Sequence, residues 1–242
     1  MTTSLQGRVV LVTGANGGLG TAFVAQALER GAAKVYAAAR TPRSWDDSRI
    51  HPLTLDLTVP ADDARAAAAA PDVDLLINNA AVAPVGDLIS GTEEALRSIF
   101  ETNFFGTLRL THAFTPVLAA NGGGTVLNIL SSAAWVSMPT GYAASKAALW
   151  SATNGLRAIL RPQGTRVIGL LVGMIDTPMS AVWNVPKVTP DSVVAQAYDA
   201  VADGTIEVIA DDQTRELKSR LNTPAEQFYP WVDEQIAALM AA

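Results

Sequence analysis

Arg8-Val-Val-Leu-Val-Thr13, followed at once by Gly14-Ala-Asn-Gly-Gly-Leu-Gly20, decides how the rest of this 242-residue chain is read. The first half is a continuous apolar run, as expected of a strand buried on both faces of a parallel sheet. The second half is a glycine loop, and Thr21 to Arg30 continues it with helical periodicity. A glycine motif gains meaning when it joins a strand to a helix. Such glycines permit a tight turn and let backbone N–H groups approach a pyrophosphate at the helix N-terminus. Gly14, Asn16, Gly18, Leu19 and Gly20 are the candidate contacts. The spacing departs from the commoner G-x-G-x-x-G, and plain turn chemistry is the competing reading of the loop taken alone.

Reading outward, Lys34 to Ala39 is a second strand, and the residues after it bear on cofactor choice. An acid at this place binds a ribose 2′-hydroxyl, whereas an arginine accommodates a 2′-phosphate. The chain has Ala39, then Arg40, with Arg43 close behind. A guanidinium grips phosphate in bidentate fashion, so NADP(H) is favoured over NAD(H). His51 to Leu57 reads as a third strand. Its Asp56, beside Leu57, either meets an adenine amino group or caps the helix Pro60 to Ala70. Val73 to Ile77 is a fourth strand, closed by Asn78-Asn79-Ala80-Ala81, whose amides can fix the loop beside a cofactor.

Glu93 to Ala119 is periodic enough for one long helix, with Asn103 near its middle. Asparagine is a weak helix former. An interior one can perturb the hydrogen-bond ladder and hold a water. Thr125 to Leu130 is a fifth strand delivering Ser131 and Ser132, a helix runs from about Tyr142 to Leu160, and Thr165 to Val172 is a sixth strand. Gly173 to Thr177 leaves its carboxyl end, and about 178–190 is a segment able to cover a site. A helix from Asp191 to Ala202, a last strand from Ile206 to Ala210 and a helical tail over 214–242 complete the chain. The expectation is a single α/β domain over 1–242, doubly wound and Rossmann-like, with a mostly parallel seven-stranded sheet flanked by helices.

Tyr142 and Lys146 stand four residues apart, so on a helix both leave one face about a turn apart. A free phenol titrates near pH 10 and is a poor acid or base at neutrality. A neighbouring ammonium favours the phenolate. The pair reads as a tuned acid/base, with serines upstream able to hydrogen-bond a substrate oxygen. Taken alone, Tyr-x-x-x-Lys fits any amphipathic helix.

Bulk properties narrow the partners. A hydrophobic content of 49% with 17% charged residues fits an ordered globular protein, and a net charge of −6 leaves no basic footprint for nucleic acid. No apolar run reaches the roughly 20 residues of a membrane helix. The first eight residues lack the pattern of a signal peptide, and there is no cysteine, consistent with the cytoplasm. His51 and His112 are far apart, so no transition-metal site is expected.

Together the segments resemble the short-chain dehydrogenase/reductase family along nearly the whole chain. Thr13-Gly14-x-x-x-Gly18-x-Gly20, Asn78-Asn79-Ala80, Asn103, a serine after Asn128 and Tyr142-x-x-x-Lys146 occur in that order, and Gly173 to Thr177 looks like the family's nicotinamide-binding loop. The resemblance implies that Tyr142 is the general acid when a carbonyl is reduced and the base in reverse. It implies that Lys146 binds nicotinamide ribose hydroxyls and depresses the phenol's pKa, that a serine positions the substrate oxygen, and that Asn103 holds a water in a proton relay. Counting from Asn128 selects Ser131, with Ser132 as the alternative. Asp56, Leu57, Asn79, Ala80, Gly173, Ile175 and Thr177 join the cofactor contacts. Ala81 stands where the family usually has glycine, and Val172 where a proline often precedes Gly173.

The activity implied is NADPH-dependent reduction of a ketone or aldehyde, reversibly. An NAD-dependent secondary-alcohol dehydrogenase and a catalytically silent cofactor-binding regulator are the competing readings. Ser132, Trp135, Val136, Met138, Ile175, Met179 and Trp183 lie near predicted carboxyl ends of strands and are the pocket candidates. The helices around Glu93–Ala119 and Tyr142–Leu160 resemble those the family pairs into homodimers and homotetramers.

Overall fold

The computed structural model describes residues 4–84, 86–136 and 138–241. Residues 1–3, part of the stretch inspected for a leader, and residue 242 of the tail lie outside the described residues. Seven strands form one sheet: β1 (Val9–Thr13), β2 (Lys34–Ala39), β3 (Ile50–Thr54), β4 (Leu75–Asn78), β5 (Thr125–Ile129), β6 (Arg166–Leu171) and β7 (Glu207–Ile209). Their order is β3-β2-β1-β4-β5-β6-β7. Every neighbouring pair is parallel. All carboxyl ends therefore meet at one edge. The chain winds outward from β1 to β3, then restarts at β4 on the other side of β1. A crevice opens at such a reversal.

Helices cover both faces. On one, α1 (Gly18–Glu29) and α6 (Pro190–Asp203) bury Phe23, Val24, Val193 and Tyr198 against Val10, Val12, Ile77 and Ile168. Tyr198 meets Phe23 edge to face at 5.5 Å, and its hydroxyl donates to the Phe23 carbonyl at 2.7 Å. On the other face, α2 (Pro60–Ala69) and α4 (Thr107–Ala120) bury Ala66, Leu110, Phe114 and Leu118 against Leu11, Leu76 and Val126. Strand neighbours thus point to opposite faces, as the pleat requires. Between β5 and β6 runs α5 (Gly141–Leu160).

Three boundaries differ from expectation. The third strand ends at Thr54, so Asp56 and Leu57 lie beyond it. The long helix is interrupted: α3 (Glu93–Phe100) and α4 are separated by a π-helical turn, Glu101–Gly106, that carries Asn103. The ladder perturbation expected at Asn103 takes that form, since a π turn inserts a residue into an otherwise regular helix. The tail is two helices, α7 (Asp212–Ser219) and α8 (Ala225–Ala241).

A polar row crosses the second core. Asn78 and Asn128 are register partners on β4 and β5. Asn78 Nδ2 donates to Asn128 Oδ1 at 2.8 Å and to Thr111 Oγ1 of α4 at 3.0 Å. Asn128 Nδ2 donates to Thr153 Oγ1 of α5 at 2.9 Å. Asn128→Ala removes two of these bonds inside the core and should cost about 2–3 kcal/mol. Urea unfolding checks this, and an unchanged midpoint would contradict it.

Candidate active site

The site is assembled at the carboxyl edge. At the end of β1, Thr13 Oγ1 accepts the amides of Asn79 at 2.9 Å and Ala80 at 3.0 Å. Asn79 Nδ2 donates to the Thr13 carbonyl at 2.7 Å. Of the two amides read from the sequence, Asn79 fixes the start of the glycine loop, whereas Asn78 lies within β4 and bonds Asn128 and Thr111. Gly14 has φ +65°, and a Cβ there would lie 3.0 Å from Ala80 Cα. A Cβ at Gly20 would lie 2.2 Å from the Gly14 carbonyl oxygen, and one at Gly18 3.1 Å from Thr177 Cγ2. Gly14, Gly18 and Gly20 are thus each required by a backbone turn or a close approach. Asn16 ties the loop to the Thr41 carbonyl at 2.8 Å.

The start of α1 fits a diphosphate. Thr92, Thr140, Thr189 and Asp211 cap α3, α5, α6 and α7 with side-chain oxygens. Gly17, before α1, offers none. The first-turn amides of Gly18, Leu19 and Gly20 are left for an external anion, assisted by the helix dipole. At the end of β2, Arg40 is exposed, whereas the Arg43 guanidinium stacks 3.9 Å over the Trp45 ring. Asp56 accepts the Thr58 amide at 2.9 Å and the Thr58 hydroxyl at 2.7 Å. Those bonds, with the charge of Arg40, hold its carboxyl below the usual range. The helix-capping reading does not hold: the residue before α2 is Val59 with no side-chain cap, and Asp56 instead closes a local turn with Thr58. Leu57 is buried, and its carbonyl accepts Arg109 at 2.6 Å.

On α5, Tyr142 and Lys146 share a face, with Lys146 Nζ 5.7 Å from the Tyr142 ring centroid. Lys146 is 3% exposed and donates to the Ile129 carbonyl at 2.7 Å. Burial lowers its pKa to about 8. Burial raises the Tyr142 phenol above its ordinary value, and a hydrogen bond to the Ser131 side chain draws it partly back. The depression expected from Lys146 is not seen here: desolvation raises the phenol, and only the Ser131 side chain opposes it. Ser131, not Ser132, is the serine that opposes this rise. Its Oγ also accepts the Ala133 amide at 3.1 Å, while Ser132 uses its own amide on the Val172 carbonyl at 3.0 Å.

Asn103 is 1% exposed. Its Oδ1 accepts the Val82 amide at 2.8 Å, and its Nδ2 donates to the Val82 carbonyl at 2.9 Å and Ser145 Oγ at 3.0 Å. Ser145 Oγ in turn donates to the Tyr142 carbonyl at 2.7 Å. The side chain read as a water holder is spent on Val82 and α5. Ser145, inside the Tyr-x-x-x-Lys segment, is the partner that sequence reading passed over; only its place beside Lys146 signalled it.

The pocket candidates do not converge. Trp135 is packed between Leu130, Leu149 and Leu171 on one side and Leu217, Phe228 and Val232 on the other. It is half-buried and packs against both clusters. Met138, Met179 and Trp183 are exposed by 37%, 51% and 38%. Ile175 packs on the first core and bridges to Val188. A cavity of about 250 Å³ beside Gly141 is lined instead by Pro84, Asp87, Leu88, Leu96 and Ile99.

A parallel doubly wound sheet, an uncapped glycine turn and a serine–tyrosine–lysine cluster at the carboxyl edge define a dinucleotide-binding oxidoreductase. The model of the short chain dehydrogenase family matches residues 8–187. A short chain dehydrogenase from Burkholderia cenocepacia, solved in complex with NADP, is 38% identical, with a TM-score of 0.87 over 93% of this chain and 96% of its own. An uncharacterized oxidoreductase of Staphylococcus haemolyticus is 34% identical over 191 residues, 74% of this chain and 82% of its own. A family member from Burkholderia phymatum, solved with NAD, shares the fold at 21% identity, with a TM-score of 0.79 over 90% of this chain and 95% of its own. The chain belongs to the short-chain dehydrogenase/reductase family and is an NAD(P)-dependent oxidoreductase.

The buried ammonium has a stability signature. Its proton affinity is lower in the folded chain than the ordinary 10.5, so unfolding takes up a proton between about pH 8 and 10.5. Stability rises with pH wherever the unfolded state binds more protons. The unfolding free energy of the cofactor-free wild type should therefore gain on that of Lys146→Met as pH climbs through this window. Parallel denaturation series at pH 7, 8, 9 and 10 measure the difference, and a flat one would contradict it.

Proposed function

We propose that this chain reduces a ketone or aldehyde to an alcohol with NADPH, with Tyr142 as general acid. The observation that carries the reading is that Tyr142 and the buried Lys146 share one face of α5, with Lys146 Nζ 5.7 Å from the Tyr142 ring centroid and anchored on the Ile129 carbonyl at the end of β5. Bound nicotinamide would supply the hydride. The chain's own groups handle the oxygen. Ser131 Oγ and the phenol together present two O–H groups to one carbonyl oxygen. The phenol gives up its proton as negative charge develops there, and the Lys146 ammonium stabilises the phenolate left behind. Ser145 and Asn103 act as positioning residues, holding the first turn of α5 against the Val82 backbone.

The raised phenol pKa supports the reductive direction, because reduction needs the protonated form. NADPH preference is supported by the exposed Arg40 at the end of β2, and by the NADP complex of the Burkholderia cenocepacia relative. We further propose a homodimer or homotetramer acting on a small-molecule carbonyl or alcohol, with residues of about 178–190 covering the site. Among the described residues no helix is long and apolar enough to cross a membrane.

Tyr142→Phe should lower turnover on the best carbonyl of an aldehyde and ketone panel by about 10²–10⁴-fold while cofactor affinity stays within a few fold. Unchanged turnover would remove Tyr142 from the mechanism. Arg40→Ala should weaken NADPH roughly tenfold and NADH far less, as fluorescence titration reads. Equal losses would refute the NADPH preference. Alcohol oxidation should accelerate with rising pH and carbonyl reduction should not, because oxidation needs the phenolate; initial rates in both directions over pH 6–10 test the sign.

A further inference from the structure

Gly173 opens the loop, Gly173 to Thr177, that looks like the family's nicotinamide-binding loop. The peptide unit entering it, Val172 carbonyl and Gly173 amide, is held on both edges. The Val172 carbonyl accepts the Ser132 amide at 3.0 Å. The Gly173 amide donates to Asp211 Oδ2 at 2.7 Å. Asp211 follows β7, is 8% exposed, and is the N-cap of α7. Its Oδ1 accepts the Thr214 amide at 2.8 Å, and Oδ2 also accepts the Thr214 hydroxyl at 2.7 Å.

One carboxylate thus does two things. It caps a helix, and it grips a peptide whose other edge is bonded to the residue after Ser131. A Cβ at Gly173 would lie 3.5 Å from Asp211 Oδ1 and 3.7 Å from Thr214 Oγ1, so the cap lies flat against the glycine. Val172 supplies no ring to fix the turn by itself. A charged acceptor strengthens the N–H bond it receives and polarises the carbonyl across the same peptide toward its own donor, Ser132.

We propose that Asp211 is a positioning residue for the reaction: through the Val172–Gly173 peptide it sets the Gly173–Thr177 loop and the serine turn relative to each other. The inference rests on the reading that this loop faces the nicotinamide. It assigns a role to a residue that contributes nothing to the cofactor or substrate directly.

Two variants separate the helix cap from the grip. Asp211→Ser keeps a good N-cap oxygen, but a single short hydroxyl cannot also reach Gly173. Thr214→Val removes one cap bond and leaves the Gly173 bond in place. Each is measured for NADPH and NADH Kd by fluorescence titration, for kcat and KM of the panel carbonyl, and for Tm without cofactor. Asp211→Ser should raise the NADPH Kd roughly tenfold, the size of one charge-assisted bond, and lower kcat with little change in carbonyl KM. Thr214→Val should lower Tm comparably and leave the Kd at the wild-type value. Asp211→Asn, isosteric and the fallback should the serine variant not fold, should repeat the loss of cofactor affinity. Exchange of the Gly173 amide with deuterium should accelerate in both Asp211 variants and not in Thr214→Val. Wild-type Kd and kcat in the folded Asp211 variants would overturn the proposal and leave Asp211 as a helix cap alone. Failure of the wild type to bind either dinucleotide would overturn the proposed function itself, and this inference with it.

Discussion

The cross-strand pair Asn78–Asn128 is the constraint on which the geometry of the site depends. Two amides in a sheet buried on both faces would cost several kcal/mol if left unbonded. They are bonded to each other and to threonines from two helices. Each threonine in turn donates to the carbonyl one turn back, Thr111 to Thr107 at 2.8 Å and Thr153 to Leu149 at 2.7 Å. The row therefore has a direction and a unique length. Sliding α5 by one residue would break it and move Lys146 off the Ile129 carbonyl. Sliding α4 would displace the π turn and Asn103. Polar satisfaction in the core, not contact at the site, fixes where the reactive groups stand. Asn78 Oδ1 alone is left without a partner.

Tyr142 and Lys146 illustrate how burial and charge compete. Desolvation disfavours phenolate and ammonium separately, which is why the phenol is raised and the amine lowered in the free chain. Proton transfer from the phenol alters that balance. It creates a negative charge beside a positive one in a poorly solvated place, where attraction is least screened. The same burial that makes the resting phenol a weak acid thus makes the ion pair, once formed, more favourable than it would be in water. The resting cost is borne by an ammonium held only by a carbonyl and an aromatic face, a destabilising arrangement of the kind found where function demands it.

Much of this was legible in the residues. β1, β4 and β5 are largely apolar runs whose length leaves little choice, and the glycine turn after β1 announced its own geometry; the edge strand β3, Ile50–Thr54, is half exposed and its bounds were less plain. Tyr142 and Lys146 needed only helical spacing. Ser131 over Ser132 came from counting along the family's pattern, and it is Ser131 whose side chain lowers the phenol's pKa. What was not legible is tertiary. Asp56 reads as a cofactor ligand or a helix cap with equal ease, and the turn it closes with Thr58 is a third arrangement that local sequence does not announce. The π turn at Asn103 leaves the periodicity of Glu93–Ala119 almost intact, so the pattern reads as one helix. Its cause lies elsewhere in the chain: at Gly106 a Cβ would meet the Leu57 carbonyl at 2.3 Å, and Arg109 bonds that same oxygen.

The pocket candidates were hard to read for a further reason. An apolar side chain at the carboxyl end of a strand can line a cavity or anchor whatever folds over it, and local sequence does not distinguish the two. Trp135 anchors. It meets Trp150 edge to face at 6.3 Å, one helical turn beyond Lys146, and Lys218 of α7 lies 5.7 Å from its ring. Lys218 also pairs with Glu207 of β7. The loop between Ser131 and Tyr142 is thereby clamped between the catalytic helix and the two tail helices. Aromatics of the tail, Phe228 and Trp231, extend the same cluster. The helices α7 and α8 thus supply, through Leu217, Lys218, Phe228 and Val232, the outer wall against which Trp135 packs.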